Sequence, residues 1–162
     1  MSKNSRRLLL SDLKNPVNLF ALGFGAGLSK YAPGTMGTLV AVPLYLLLAP
    51  LSLVYYIAIA VAVTLAGIWL CDRSAATLGV HDHPGIVWDE IAGYLLTMIA
   101  APAGWQWIVL GFVLFRLFDI WKPWPIKVID RQVEGGFGIM LDDVVAALFA
   151  WAALQLVALS VA

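Results

Sequence analysis

Charge is what this chain has least of. Its 162 residues include 10 Lys+Arg and 10 Asp+Glu, together half of the 40 or so charged residues that a soluble domain of this length would carry. The two signs cancel to a formal net charge of zero, so no overall basic field points to nucleic acid. Cysteine is limited to Cys71, which excludes an intramolecular disulfide and a cysteine metal cluster. That residue reads as a small apolar side chain at a helix end. The N-terminus has basic residues but no long apolar stretch, because Ser11, Asp12 and Lys14 interrupt it after Leu8, Leu9 and Leu10. It does not read as a cleaved leader, and residues 1–16 are expected to stay in the cytoplasm.

What the chain has in abundance is apolar surface, 62% of its residues. No charge occurs in the 41 residues 31–71, the 25 residues 91–115 or the 19 residues 144–162. A membrane span needs about 20 predominantly apolar residues, so each run is long enough, and the chain reads as an integral membrane protein. As one helix the first run would be about 60 Å long, twice the hydrocarbon thickness. Pro50 marks the expected turn, giving helices over 35–49 and 53–70. Ala101-Pro102-Ala103-Gly104 breaks the second run into helices over 87–101 and 105–121, the first of them short for a full crossing. The Gly-rich stretch 17–29 either lies at the interface or inserts partly, with Gly23, Gly25 and Gly27 serving close packing.

The expected fold is therefore all-α: one membrane domain over 1–162, a compact bundle of four to five membrane-embedded helices with Pro-broken hairpins. Under this topology all ten Lys and Arg fall on one face, and the turns at Pro50 and Pro102 carry none. That asymmetry marks the cytoplasmic side.

Three acidic clusters share that face: Asp89 with Glu90 at the start of one helix, Asp119 near the end of its partner, and Asp142 with Asp143 at the start of the last. Single acids at helix starts are explained by the helix dipole. Five converging in one small bundle suggest a site, since ionisable groups at a membrane boundary are costly unless paired, hydrated or metal-bound. Hard cations prefer oxygen ligands, so the clusters suggest Mg²⁺ held by Asp89, Glu90, Asp142 and Asp143. Arg116, Asp119 and Lys122 are spaced by three and share a helix face, either as a salt-bridge ladder or as phosphate-binding groups beside the metal.

Gly34-Thr35-Met36-Gly37-Thr38 precedes a long apolar helix. Gly34, Thr35 and Thr38 there either cradle an anion or form a capped helix start. Gly135-Gly136-Phe137-Gly138 is expected to present Asp142 and Asp143 on a tight turn. His83 reads as solvated loop, whereas His81 stays open as a ligand, proton carrier or phosphate contact.

Together Gly34 to Leu39, His81 to His83 with Val87-Trp88-Asp89-Glu90, Phe115-Arg116 to Asp119, Trp121-Lys122-Pro123-Trp124-Pro125-Ile126 and Gly135-Gly136 to Met140 with Asp142-Asp143 resemble the phosphatidylglycerophosphatase A family. The resemblance covers approximately residues 17–150. It implies a bacterial inner-membrane, Mg²⁺-dependent enzyme that removes the terminal phosphate of phosphatidylglycerophosphate to give phosphatidylglycerol. Where the family often has Ala-Gly after the paired acids, this chain has Ala146-Ala147.

The residues narrow the chemistry independently. A cysteine phosphatase needs Arg six positions after its cysteine, and here that position is Thr77. No Asp-x-Asp pair offers an aspartyl nucleophile. In-line attack by a metal-activated water is the expected route, with Asp89, Glu90, Asp119, Asp142 and Asp143 as its acidic machinery. A channel or transporter would distribute acids through the membrane depth, and these are confined to one face.

Overall fold

In the computed structural model, residues 7–80 and 83–161 are described; His81 lies outside them, as do Lys3 and Arg6. Every regular element among them is helical. A 3₁₀ turn over Leu10–Lys14 leads into α1 (Pro16–Ala21), whose Asn15 cap accepts a hydrogen bond from the Val17 N–H at 2.9 Å, with Pro16 preset in the first turn. A second 3₁₀ stretch, Gly23–Leu28, follows. Leu22 between them is fully buried, so the 17–29 region is packed into the protein.

The hairpins form where the prolines place them. Helix α2 (Pro33–Leu48) turns at 49–52 into α3 (Leu53–Leu78), and α4 (Trp88–Thr97) is separated from α5 (Trp105–Trp121) by the break at 98–104. Helix α3 runs further than its apolar run, because Ala75 and Ala76 continue it until Gly79 closes it in the left-handed region at φ 70°. Short α6 (Ile126–Gln132) precedes α7 (Gly135–Val161).

The tight turn expected at 135–138 is corrected. Gly135 takes φ 77°, but 135–138 already belong to α7, so Asp142 and Asp143 lie two turns inside it rather than at its start. Packing against α3 overrides the low helix propensity of glycine here. A Cβ on Gly136 would meet the Ile68 carbonyl and stand 2.6 Å from the Asp72 backbone nitrogen, so only glycine admits this crossing. Asp72 adds a bond, its Oδ1 accepting from the Gly136 N–H at 3.3 Å.

Helix α7 packs against α3, α4 and α5, and α2 closes on α4. Fully buried Ile91, Tyr94, Phe115, Met140, Ala146 and Leu154 make the centre. At the far end, the Tyr56 hydroxyl donates to the Leu95 carbonyl at 2.8 Å, and the Trp151 indole donates to the Ile99 carbonyl at 3.0 Å. Cys71 is buried within α3, its Sγ 3.8 Å from Met140 Sδ.

Two helices, α3 and α7, are long and apolar enough to cross a membrane, each with a most apolar stretch of mean hydropathy 2.2. Their lengths are about 40 Å, against about 15 Å for α4. Val54, Tyr55, Leu65 and Trp69 of α3 and Leu148, Leu156 and Leu159 of α7 are exposed, an apolar exterior suited to lipid.

Candidate active site

Helix geometry brings the acids together at the end of the bundle opposite the two proline turns. Asp89 and Glu90 occupy the first turn of α4, where backbone N–H groups favour negative charge. That turn is held on both sides: the Val87 N–H donates to the Ala21 carbonyl at 2.9 Å, and the Trp88 indole donates to the Val63 carbonyl at 3.1 Å. Consecutive residues on a helix point about 100° apart, so Asp142 and Asp143 face different neighbours. Asp142 meets Lys122 at the end of α5, with Nζ and Oδ2 2.5 Å apart. Asp143 turns to α4, where its carboxylate joins those of Asp89 and Glu90, one oxygen from each lying within 4.8 Å of the others.

The cations are fixed around this trio. Arg116 and Asp119 form the spacing-of-three pair across 2.5 Å, and Arg116 Nη1 stands 3.6 Å from Glu90 Oε1. Lys122 ends α5 at φ 45° and is held between Asp142 and Asp130, 2.6 Å from Asp130 Oδ1. Burial pulls its pKa down, but the two carboxylates outweigh that and hold the ammonium above the ordinary lysine range.

These groups line a cavity of about 300 Å³, walled also by Pro33, Gly34, Pro84, Ile86 and Ile139. Five of its buried polar atoms, Asp89 Oδ1, Glu90 Oε2, Asp143 Oδ2, Arg116 Nε and Arg116 Nη1, have no hydrogen-bond partner among the described residues, although Nη1 is ion-paired with Asp119 and Glu90. Three carboxylates cannot all remain ionised so close together in a buried setting without positive charge to offset them. The hard oxygen donors and their unused lone pairs fit Mg²⁺, and Arg116 Nε is left to donate to a ligand.

Asp72 is exposed beside Gly136, and Asp143 is seven residues further along α7, about 10 Å along the helix axis.

The structure brings together Asp89, Glu90, Arg116, Asp119, Lys122, Asp142 and Asp143, with Gly34 at the wall. A Cβ on Gly34 would run into Glu90 Oε1 and stand 3.0 Å from Arg116 Nη1, so Gly34 leaves room for the acid and its cation. The two threonines are elsewhere. Thr38 is buried and gives its hydroxyl to the Gly34 carbonyl at 3.0 Å, the back-bond that a helical threonine makes, and Thr35 is not part of the cavity wall. His81 falls outside the described residues.

His83 is corrected from solvated to buried, its Nδ1 accepting from the Gly85 N–H at 3.0 Å, because residues 83–87 are clamped against the segment after α1. Asp130 was not expected. In Ile129-Asp130-Arg131 it looks like surface charge, and only the fold of α6 beside Lys122 gives it a partner.

The family model described as phosphatidylglycerophosphatase A matches residues 19–158. Phosphatidylglycerophosphatase A of Escherichia coli (strain K12) is 48% identical over 137 residues, covering 84% of this chain and 80% of that protein. Phosphatidylglycerophosphatase A of Haemophilus influenzae is 47% identical over 141 residues, covering 86% of each. No solved structure matches the chain. With a family model spanning most of its length and two relatives this similar, the chain belongs to the phosphatidylglycerophosphatase A family.

Proposed function

We propose that this protein hydrolyses the terminal phosphate of phosphatidylglycerophosphate, releasing phosphatidylglycerol and inorganic phosphate in phospholipid biosynthesis. The observation that carries the reading is one cavity, in a chain of this family, in which three carboxylates with unused buried oxygens face two fixed cations.

Asp89, Glu90 and Asp143 would hold Mg²⁺. When bound there, the ion supplies Lewis-acid polarisation and offsets charge on the phosphoryl oxygens. Arg116 and Lys122 bind the terminal phosphate, Arg116 through its unused Nε–H and Lys122 through its ammonium. Asp119 orients Arg116, and Asp142 with Asp130 orients Lys122. Water attacks phosphorus in line with the departing glycerol oxygen. One proton of the water passes to a carboxylate of the site, Asp89, Glu90 or Asp143, and is returned to the leaving oxygen, which becomes the glycerol hydroxyl.

The setting is the bacterial inner membrane. The protein is one multi-pass domain of four to five embedded helices, α3 and α7 crossing fully and α4 reaching half depth, with the site and N-terminus cytoplasmic. The Lys and Arg among the described residues, which all lie outside the two proline turns, support that orientation.

The test is phosphate release from phosphatidylglycerophosphate in detergent, with Mg²⁺ or with chelator, beside folded Asp143→Asn. Release that needs both Mg²⁺ and Asp143 is the expected result. No release by folded, magnesium-supplied wild type would overturn the activity, and full release with chelator would overturn the metal.

A further inference from the structure

A second cavity of about 790 Å³ adjoins the first and shares Pro33 and Pro84 with it. Its character is opposite. Where the first cavity gathers acids, the second is lined by Arg7 and Lys30, by Ser11 and Ser29, and by Leu8 to Leu10, with no carboxylate among the described residues of its wall. The nearby Asp12 is turned to its own backbone, Oδ2 accepting from the Leu9 N–H at 2.8 Å. Leu9 and Leu10 on its wall are 56% and 78% exposed. Basic groups beside protruding apolar side chains form an interfacial pattern, one part meeting lipid phosphate and the other the acyl region.

The substrate of the proposed reaction has two phosphates. The terminal monoester is cleaved; the second, a phosphodiester, lies across one glycerol unit and links it to the glycerol backbone that carries the two acyl chains. With the monoester among Arg116, Lys122 and the acids, the phosphodiester emerges past the shared wall of Pro33 and Pro84. We propose that the second cavity binds the phosphodiester and glycerol backbone of the lipid, with Arg7 and Lys30 as its anion-binding residues and Leu8 to Leu10 beside the first acyl carbons. This rests on the lipid phosphatase reading above. It assigns recognition of the part of the lipid that does not react, which discriminates this substrate from lipids whose only phosphate is a monoester.

The experiment uses the full chain in mixed micelles and two competing inhibitors. Short-chain phosphatidylglycerol has the phosphodiester and no monoester; inorganic phosphate has neither glycerol nor acyl chain. In the double variant Arg7→Gln/Lys30→Gln, loss of two charge-assisted contacts is expected to weaken inhibition by phosphatidylglycerol about tenfold or more and to raise KM for phosphatidylglycerophosphate similarly. Inhibition by inorganic phosphate keeps its wild-type strength. Lys127→Gln, which removes an exposed cation outside both cavities, controls for general surface charge. The inference is overturned if phosphatidylglycerol inhibits the double variant as strongly as wild type, if both inhibitors weaken alike, or if Lys127→Gln has the same effect. Those outcomes leave the phosphatase reading standing, whereas a wild type that releases no phosphate overturns the reading itself.

Discussion

At the residue scale the site is a balance of like charges. Asp89, Glu90 and Asp143 present oxygens within 4.8 Å of one another, and without a cation that arrangement opposes folding. Asp143→Asn and Asp89→Asn are therefore expected to cut phosphate release by at least about a hundredfold, yet to raise the melting temperature of chelator-treated protein, since one of three repelling carboxylates is gone. Adding Mg²⁺ should raise the melting temperature of wild type and leave the Asn variants nearly unmoved. A Mg²⁺ response undiminished in both variants would remove these acids from the metal site. Gly34→Ala is a different kind of lesion: its new Cβ would collide with Glu90 Oε1. Activity should fall about tenfold or more, with little change in melting temperature because the displaced groups lie at a cavity wall.

Residue chemistry was legible in the sequence as far as topology could carry it. The charge-free runs required hairpins, and the hairpins put Asp89, Arg116, Asp119, Lys122 and Asp143 at one end. Which acids would face one another was not legible, because that depends on helix rotation. Asp142 and Asp143 are adjacent in sequence, yet one pairs with Lys122 and the other joins the acidic trio.

At the scale of elements, α7 carries the greatest demand. Its first turns must approach α3 closely enough that Gly136 touches the Ile68 backbone, and the acids follow two turns later. Gly136→Ala cannot be relieved by rotating a side chain, because the atoms in the way are backbone. Thermal unfolding in detergent should show a loss of about 1–3 kcal/mol, with phosphate release reduced as α7 shifts. Unchanged stability would mean that α3 and α7 separate freely there. The glycines in 135–138 read locally as a turn, and only long-range packing reveals them as a helix crossing. Pro50 and the 101–104 break, by contrast, were readable because proline acts on its own backbone.

For the whole molecule, the governing feature is the position of the acids along α7, about 10 Å on from the level of the exposed Asp72. An enzyme with its catalytic groups above the rim would have to draw the lipid upward, and each methylene withdrawn from hydrocarbon costs about 0.8 kcal/mol. In the proposed membrane setting, groups set further along α7 would avoid that cost and leave the acyl chains among their neighbours throughout turnover. Encounter is then a search in two dimensions, so the rate follows the mole fraction of substrate within the leaflet rather than its amount per volume. Diluting phosphatidylglycerophosphate with inert lipid should slow the reaction in proportion, while adding vesicles of fixed composition should leave the rate per enzyme unchanged.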